Sequence, residues 1–180
     1  MRKILPLVGL WAANAVAGAL APPNLQAQAW RTMTSARQIW ERAPTDVNVR
    51  YGVGMLTVKP ADPSMLYQMA VRYDEELFEP VIEWDEDDRE LRLGVDKLHH
   101  EERRSMKARG GSSATIGLAR EVPLTVDLEF GAGKADIELG GLMLQQLSLS
   151  TGASETRVSF SQPNRIAAGR IAIEAGAADL

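Results

Sequence analysis

The chain has 180 residues, 45% of them apolar, and carries 20 Lys and Arg against 24 Asp and Glu for a formal net charge of −4. That acidic balance disfavours non-specific nucleic-acid binding. A cysteine count of zero excludes a disulfide framework, thiolate catalysis, a cysteine zinc site and a lipid-modified N-terminal cysteine, so stability must come from packing.

Arg2 and Lys3 open the chain, and an apolar stretch from Ile4 to Ala21, broken only by Pro6 and Asn14, follows without an acid or further base. This is the charged and apolar pattern of an export signal. Ala27-Gln28-Ala29 supplies the small residues that a signal peptidase accepts, which predicts cleavage after Ala29. An uncleaved membrane anchor is the rival, because the stretch approaches the roughly 20 apolar residues that span a bilayer. The prolines and the Ala-x-Ala site favour cleavage, and loss of Arg2 and Lys3 makes the exported form more acidic still.

Residues 30–45 have a mixed pattern, either a first strand or a loose lead-in. From Asp46 the period of two dominates: Val47, Val49 and Tyr51 alternate with Asn48 and Arg50, and Leu56 and Val58 resume after Gly52 and Gly54. The spacing predicts strand, glycine turn, strand. Beyond the proline-set loop Lys59–Ser64, strand-like runs cover Met65 to Tyr73, Pro80 to Asp85 and Arg89 to Val95, the last two joined through Glu86-Asp87-Asp88 as a hairpin. Residues 46–98 thus form an N-terminal β module. Residues 99–113, charged and then rich in glycine and serine, read as a loop or hinge.

Residues 114–180 carry a repeat. Val126-Asp127-Leu128-Glu129-Phe130-Gly131-Ala132-Gly133 returns as Leu147-Ser148-Leu149-Ser150-Thr151-Gly152-Ala153-Ser154 and as Ile171-Ala172-Ile173-Glu174-Ala175-Gly176, with an earlier copy at Val47–Gly54. Gly131, Gly152 and Gly176 stand 21 and 24 residues apart, a period at which a chain builds stacked coils. Aligned on these glycines, the inward columns are Val126/Leu147/Ile171, Leu128/Leu149/Ile173, Ala135/Thr156/Leu180, Ile137/Val158 and Leu139/Phe160. The outward columns are polar and place Lys134 over Glu155 and Asp136 over Arg157. The predicted fold is all-β, a single-domain β-solenoid of strand-glycine-strand repeats, with Gly52, Gly54, Gly131, Gly133, Gly152 and Gly176 at its turns. The last copy stops just after its glycine, which predicts a longer natural chain or a second chain over the open edge.

These residues carry a family resemblance. Tyr51–Val58, Met65–Asp74, Asp127–Gly133, Leu147–Ala153 and Ile171–Ala177 resemble the toast-rack family of bacterial envelope proteins, which is related to LiaF-type cell-wall-active-antibiotic-response proteins. The resemblance covers Asp46 to Leu180. It implies a β-stranded solenoid outside the cytoplasmic membrane, with roles from surface interaction to envelope-stress signalling, and it supplies no functional residues. The several transmembrane helices of the signalling members are not matched in this sequence.

Motifs of chemistry fail one by one. Ten carboxylates fall between Asp74 and Glu90, oxygen ligands that would suit Ca²⁺, yet neither the EF-hand order nor the nonapeptide calcium repeat occurs, and a solvated hairpin tip is the simpler reading. His99 and His100 are adjacent and lack the second histidine of a His-Glu-x-x-His motif. Gly131-Ala132-Gly133-Lys134 has Leu128 where a phosphate loop needs glycine and Ala135 where it needs Ser or Thr. Arg103, Arg104, Lys107 and Arg109 form a basic patch without the aromatics of a nucleic-acid platform. Asp127, Glu129, Asp136 and Glu138 could supply a glycosidase pair only if a cleft opposed them. The sequence therefore predicts a non-enzymatic exported protein with an interaction surface and no cofactor or metal, its partner unidentified, with an envelope polymer or a membrane protein as the candidates. An envelope-stress sensor and a polysaccharide-cleaving enzyme are the rival classes.

Overall fold

Side chains that alternate apolar with polar satisfy both a core and water only in an extended strand. The computed structural model describes residues 29–98 and 111–177, and it forms nine strands there. In chain order these are β1 Trp30–Gln38, β2 Thr45–Pro60, β3 Met65–Asp74, β4 Phe78–Asp85, β5 Glu90–Lys97, β6 Ser113–Leu118, β7 Pro123–Glu138, β8 Met143–Ser159 and β9 Arg170–Ala175. The lead-in is thus a strand over most of its length. The export-signal segment, His99, His100, the basic patch and Leu180 lie outside the described residues, apart from Ala29.

Strands β2, β7, β8 and β9 run parallel and in register, so that Val47 pairs with Val126, Val126 with Leu147 and Leu147 with Ile171. On its other side the first half of β2 pairs with β5 and the second half with β6, both parallel. Antiparallel pairing then adds β4 to β5, β3 to β6 and β1 to β3. The earliest copy of the repeat is therefore the neighbour of β7, and the segment from β3 to β6 wraps around it.

Each long strand changes the parity of its buried face at its glycines. In β7 the buried side chains are Leu124, Val126, Leu128 and Phe130, then Ala135 and Ile137; in β2 they are Val47, Val49 and Tyr51, then Leu56 and Val58. In a flat strand such a switch would turn half the apolar residues to water. Here the strand bends between the two sets, and both arms line one core. The bend falls at the glycines, where pairing passes from Tyr51↔Phe130 to Val53↔Ala132 and from Phe130↔Thr151 to Ala132↔Ala153. The strands run through these positions without a separate turn.

The predicted inward columns are buried along the middle of the stack. Val126, Leu128, Ile137 and Leu139 are fully enclosed, and Leu147, Leu149, Ala135 and Thr156 nearly so, each enclosed aliphatic side chain contributing about 1.5–3 kcal/mol. The columns fail at their outer ends: Ile171 and Ile173 on the last coil keep their register but are 52% and 44% exposed, and Phe160, just past the end of β8, is 44% exposed. Pattern assigns a face to a side chain, whereas burial needs a further layer, and none of the described strands lies beyond β9.

Candidate interaction grooves

Backbone contact decides which residue the bend admits. A Cβ on Gly131 would stand 2.2 Å from the Gly52 carbonyl oxygen, and one on Gly152 would stand 2.3 Å from that of Gly131. Gly54 and Gly133 are partners in the ladder and take φ of 126° and 122°, values that side chains rarely tolerate. Gly176 donates its N–H to Thr151 O at 2.8 Å and has room for a Cβ. The sequence reading missed Gly94, whose Cβ would meet the Arg50 carbonyl oxygen at 2.1 Å; β5 docks on β2 there by the same close approach, but a single glycine in a strand gave no repeat to reveal it.

Two open grooves follow from this geometry. One, of about 740 Å³, runs beside the glycine column Gly52/Gly131/Gly152 and is edged by Arg50, Ser150 and Lys97. Arg50 Nε lies 3.4 Å from Glu129 Oε2 on the next coil. Behind it Tyr51 and Phe130 stack at 6.3 Å and 7°. Burial raises the Tyr51 phenol above its usual range, offset in part by the Ser112 hydroxyl, which is itself donated to Val53 O at 2.7 Å. The second groove, of about 560 Å³, lies on the other arm between Met55, Lys134, Asp136, Glu155 and Arg157. Lys134 Nζ reaches Glu155 Oε2 at 2.6 Å, and this hydrogen bond and charge, aided by Arg157, hold the Glu155 carboxyl below its ordinary range. Asp136 and Arg157 face each other in register without closing to an ion pair.

Of the remaining candidate acids, Glu138 serves the backbone. Glu138 accepts from Ser161 N at 3.0 Å, Gly140 N at 2.5 Å and Ser159 Oγ at 2.9 Å, and these donors, the two backbone ones foremost, hold its carboxyl below the usual range. Asp127 lies on the first arm of β7 and Asp136 on the second, with the glycine bend between them. In the acidic hairpin, Asp85 Oδ1 accepts from the N–H groups of Asp87 and Asp88 at 3.0 and 3.1 Å. Arg92 pairs with Glu90 and Glu83, and Arg89 with Glu41. Among the described residues no three His, Asp or Glu side chains are grouped to hold a metal ion. The Gly131–Lys134 segment is strand throughout.

A family model described as the N-terminal domain of toast_rack, DUF2154, matches residues 31–180. A solved structure of a candidate cell adhesion protein from Clostridium sporogenes ATCC 15579 aligns with a TM-score of 0.59 at 17% identity, over 75% of this chain and 64% of that one. A candidate adhesin and a candidate lipid-binding protein, both from Parabacteroides distasonis ATCC 8503, align with TM-scores of 0.31 and 0.29 at 12% and 13% identity, over 71% and 69% of this chain and 56% and 66% of theirs. The chain spans less than two thirds of the length of each. The first likeness is one of fold. No curated protein matches the chain.

Proposed function

The chain belongs to the toast-rack family, and on that premise we propose that it is a non-catalytic exported protein of the cell envelope whose outward rows form an interaction and scaffolding surface. The observation that carries this reading is the engagement of three outward acids and the separation of two others. Glu129 pairs with Arg50, Glu155 with Lys134, and Glu138 holds backbone N–H groups. A glycosidase pair needs two carboxyl groups facing one another across a cleft, and the bend in β7 puts Asp127 and Asp136 on separate arms. Grooves bordered by paired charges and hydroxyls offer donors and acceptors side by side, which suits a hydroxyl-rich envelope polymer more than a polyanion.

The experiment is retention of the full chain on a panel of insoluble peptidoglycan, immobilised envelope polysaccharide and outer-leaflet glycolipid. Retention on one class, weakened by Arg50→Ala or Lys134→Ala with unchanged melting temperature, supports the reading. Turnover of a glycan that is lost in Asp127→Ala or Asp136→Ala overturns it, and so does indifference to the whole panel.

A further inference from the structure

Strand β9 pairs with β8 along one side, and its other edge is open among the described residues. Its sequence Arg170-Ile171-Ala172-Ile173-Glu174 is its own complement about Ala172. A two-fold axis through Ala172 sets the strand antiparallel to a copy of itself, with Arg170 opposite Glu174, Ile171 opposite Ile173 and Ala172 opposite Ala172. We propose that this edge is the interface of a two-fold dimer, formed by pairing β9 with β9 of a second copy of the chain.

The backbone supports that register independently of the side chains. Gly176 N–H donates to Thr151 O, so in the alternation of a parallel ladder the even-numbered residues of β9 turn their N–H and C=O groups to β8, and Ile171 and Ile173 turn theirs to the open edge. In the proposed register those are the residues that meet, so each Ile171–Ile173 pair exchanges both backbone bonds. Ala172 falls at the intervening non-bonded pair, where Cα atoms come within about 4.5 Å and side chains are closest, and its methyl group fits there without crowding.

The side chains agree. Ile171 and Ile173 extend the inward columns of Leu147 and Leu149 yet are 52% and 44% exposed; the copy's Ile173 and Ile171 would continue those columns across the axis. On the second arm Ser154 and Thr156 bond each other at 2.9 Å, and Phe160 is the large apolar side chain left exposed just past β8. On β9 two such side chains stand together on one face. Each end of the paired strands sets a guanidinium opposite a carboxylate, and the symmetry makes the contact isologous, so it closes at two copies.

The full chain contains no cysteine, so Ala172→Cys places one thiol at the axis, within disulfide reach of its copy. Mild oxidation is expected to give a linked dimer far faster than for Trp40→Cys, whose parent side chain is 95% exposed and lies off the interface. Sedimentation equilibrium of the unsubstituted chain should show a monomer–dimer equilibrium. Arg170→Glu or Glu174→Arg should weaken it by roughly tenfold or more, since two symmetric pairs become repulsive, and the two substitutions together should restore it. A chain monomeric at every concentration, whether because another segment takes the edge or because nothing does, overturns the proposal. So does an Ala172→Cys that links no faster than Trp40→Cys, or a double charge exchange without rescue.

Discussion

Gly133 lies against Gly54 of the preceding coil so closely that a Cβ on Gly133 would come 2.1 Å from the Gly54 carbonyl oxygen, and both residues take positive φ. Gly133→Ala must therefore push the coils apart and strain its own backbone. Its expected cost is about 2–4 kcal/mol in urea unfolding. Gly52→Ala is the control, with nothing within 4 Å of its Cβ and ordinary φ, and should stay within about 0.5 kcal/mol. Equal effects would remove the close approach as the cause.

The stack is held by its core more than by its charged rows. Leu128→Ala, at a fully enclosed position, is expected to cost about 2–5 kcal/mol. A double-mutant cycle on Lys134→Ala and Glu155→Ala, both exposed, should return only a small coupling that fades with salt. A coupling comparable to the loss at Leu128 would reverse that ranking.

Glu138 gives the fold an acid-sensitive corner. Its carboxyl is held below the ordinary value of 4.5 by backbone N–H groups, so the folded state binds its proton less readily than the unfolded one. The stabilisation is present above about pH 4.5 and is lost as pH falls through the folded value. Unfolding midpoints should drop over that range, and Glu138→Gln should lower stability at neutral pH while flattening the acid limb. A variant whose acid limb matches the parent would assign the sensitivity elsewhere.

Asn164 extends the β8 ladder with a side chain. Its carboxamide accepts from Leu144 N at 2.8 Å and donates to Leu144 O and Ile166 O at 2.8 and 2.7 Å, beside side chains buried in the core. Asn164→Ala leaves those backbone groups unpaired, and a loss of about 1–3 kcal/mol is expected from thermal or urea unfolding. No loss would mean that water replaces the amide there.

Much of this architecture was legible along the chain because a parallel stack repeats one physical problem. Leu128, Leu149 and the Lys134–Glu155 rung could be placed by aligning glycines, since register makes equivalent positions neighbours. Pairings without a repeat were not legible. The docking of β5 and β6 on opposite halves of β2, the close approach at Gly94 and the amide of Asn164 depend on contacts between distant segments that leave no periodic mark. The strand–glycine–strand pattern located the bend but not its form, because a glycine at a tight turn and one under a stacked carbonyl look alike in sequence. Ile171 and Ile173 show the same limit from the other side: alternation identified their face, and only the number of layers determined their exposure.

Asn48, Asp127 and Ser148 form one outward row on successive coils. The direct test is dipolar broadening between nitroxide labels on cysteines introduced in pairs at these positions. Neighbouring parallel strands stand about 4.8 Å apart, so the 48/127 and 127/148 pairs should broaden strongly and about equally, and the 48/148 pair less, in keeping with about twice the spacing. A 48/148 pair that broadens as strongly as its neighbours, or a 48/127 pair that does not broaden at all, would contradict the stacked arrangement.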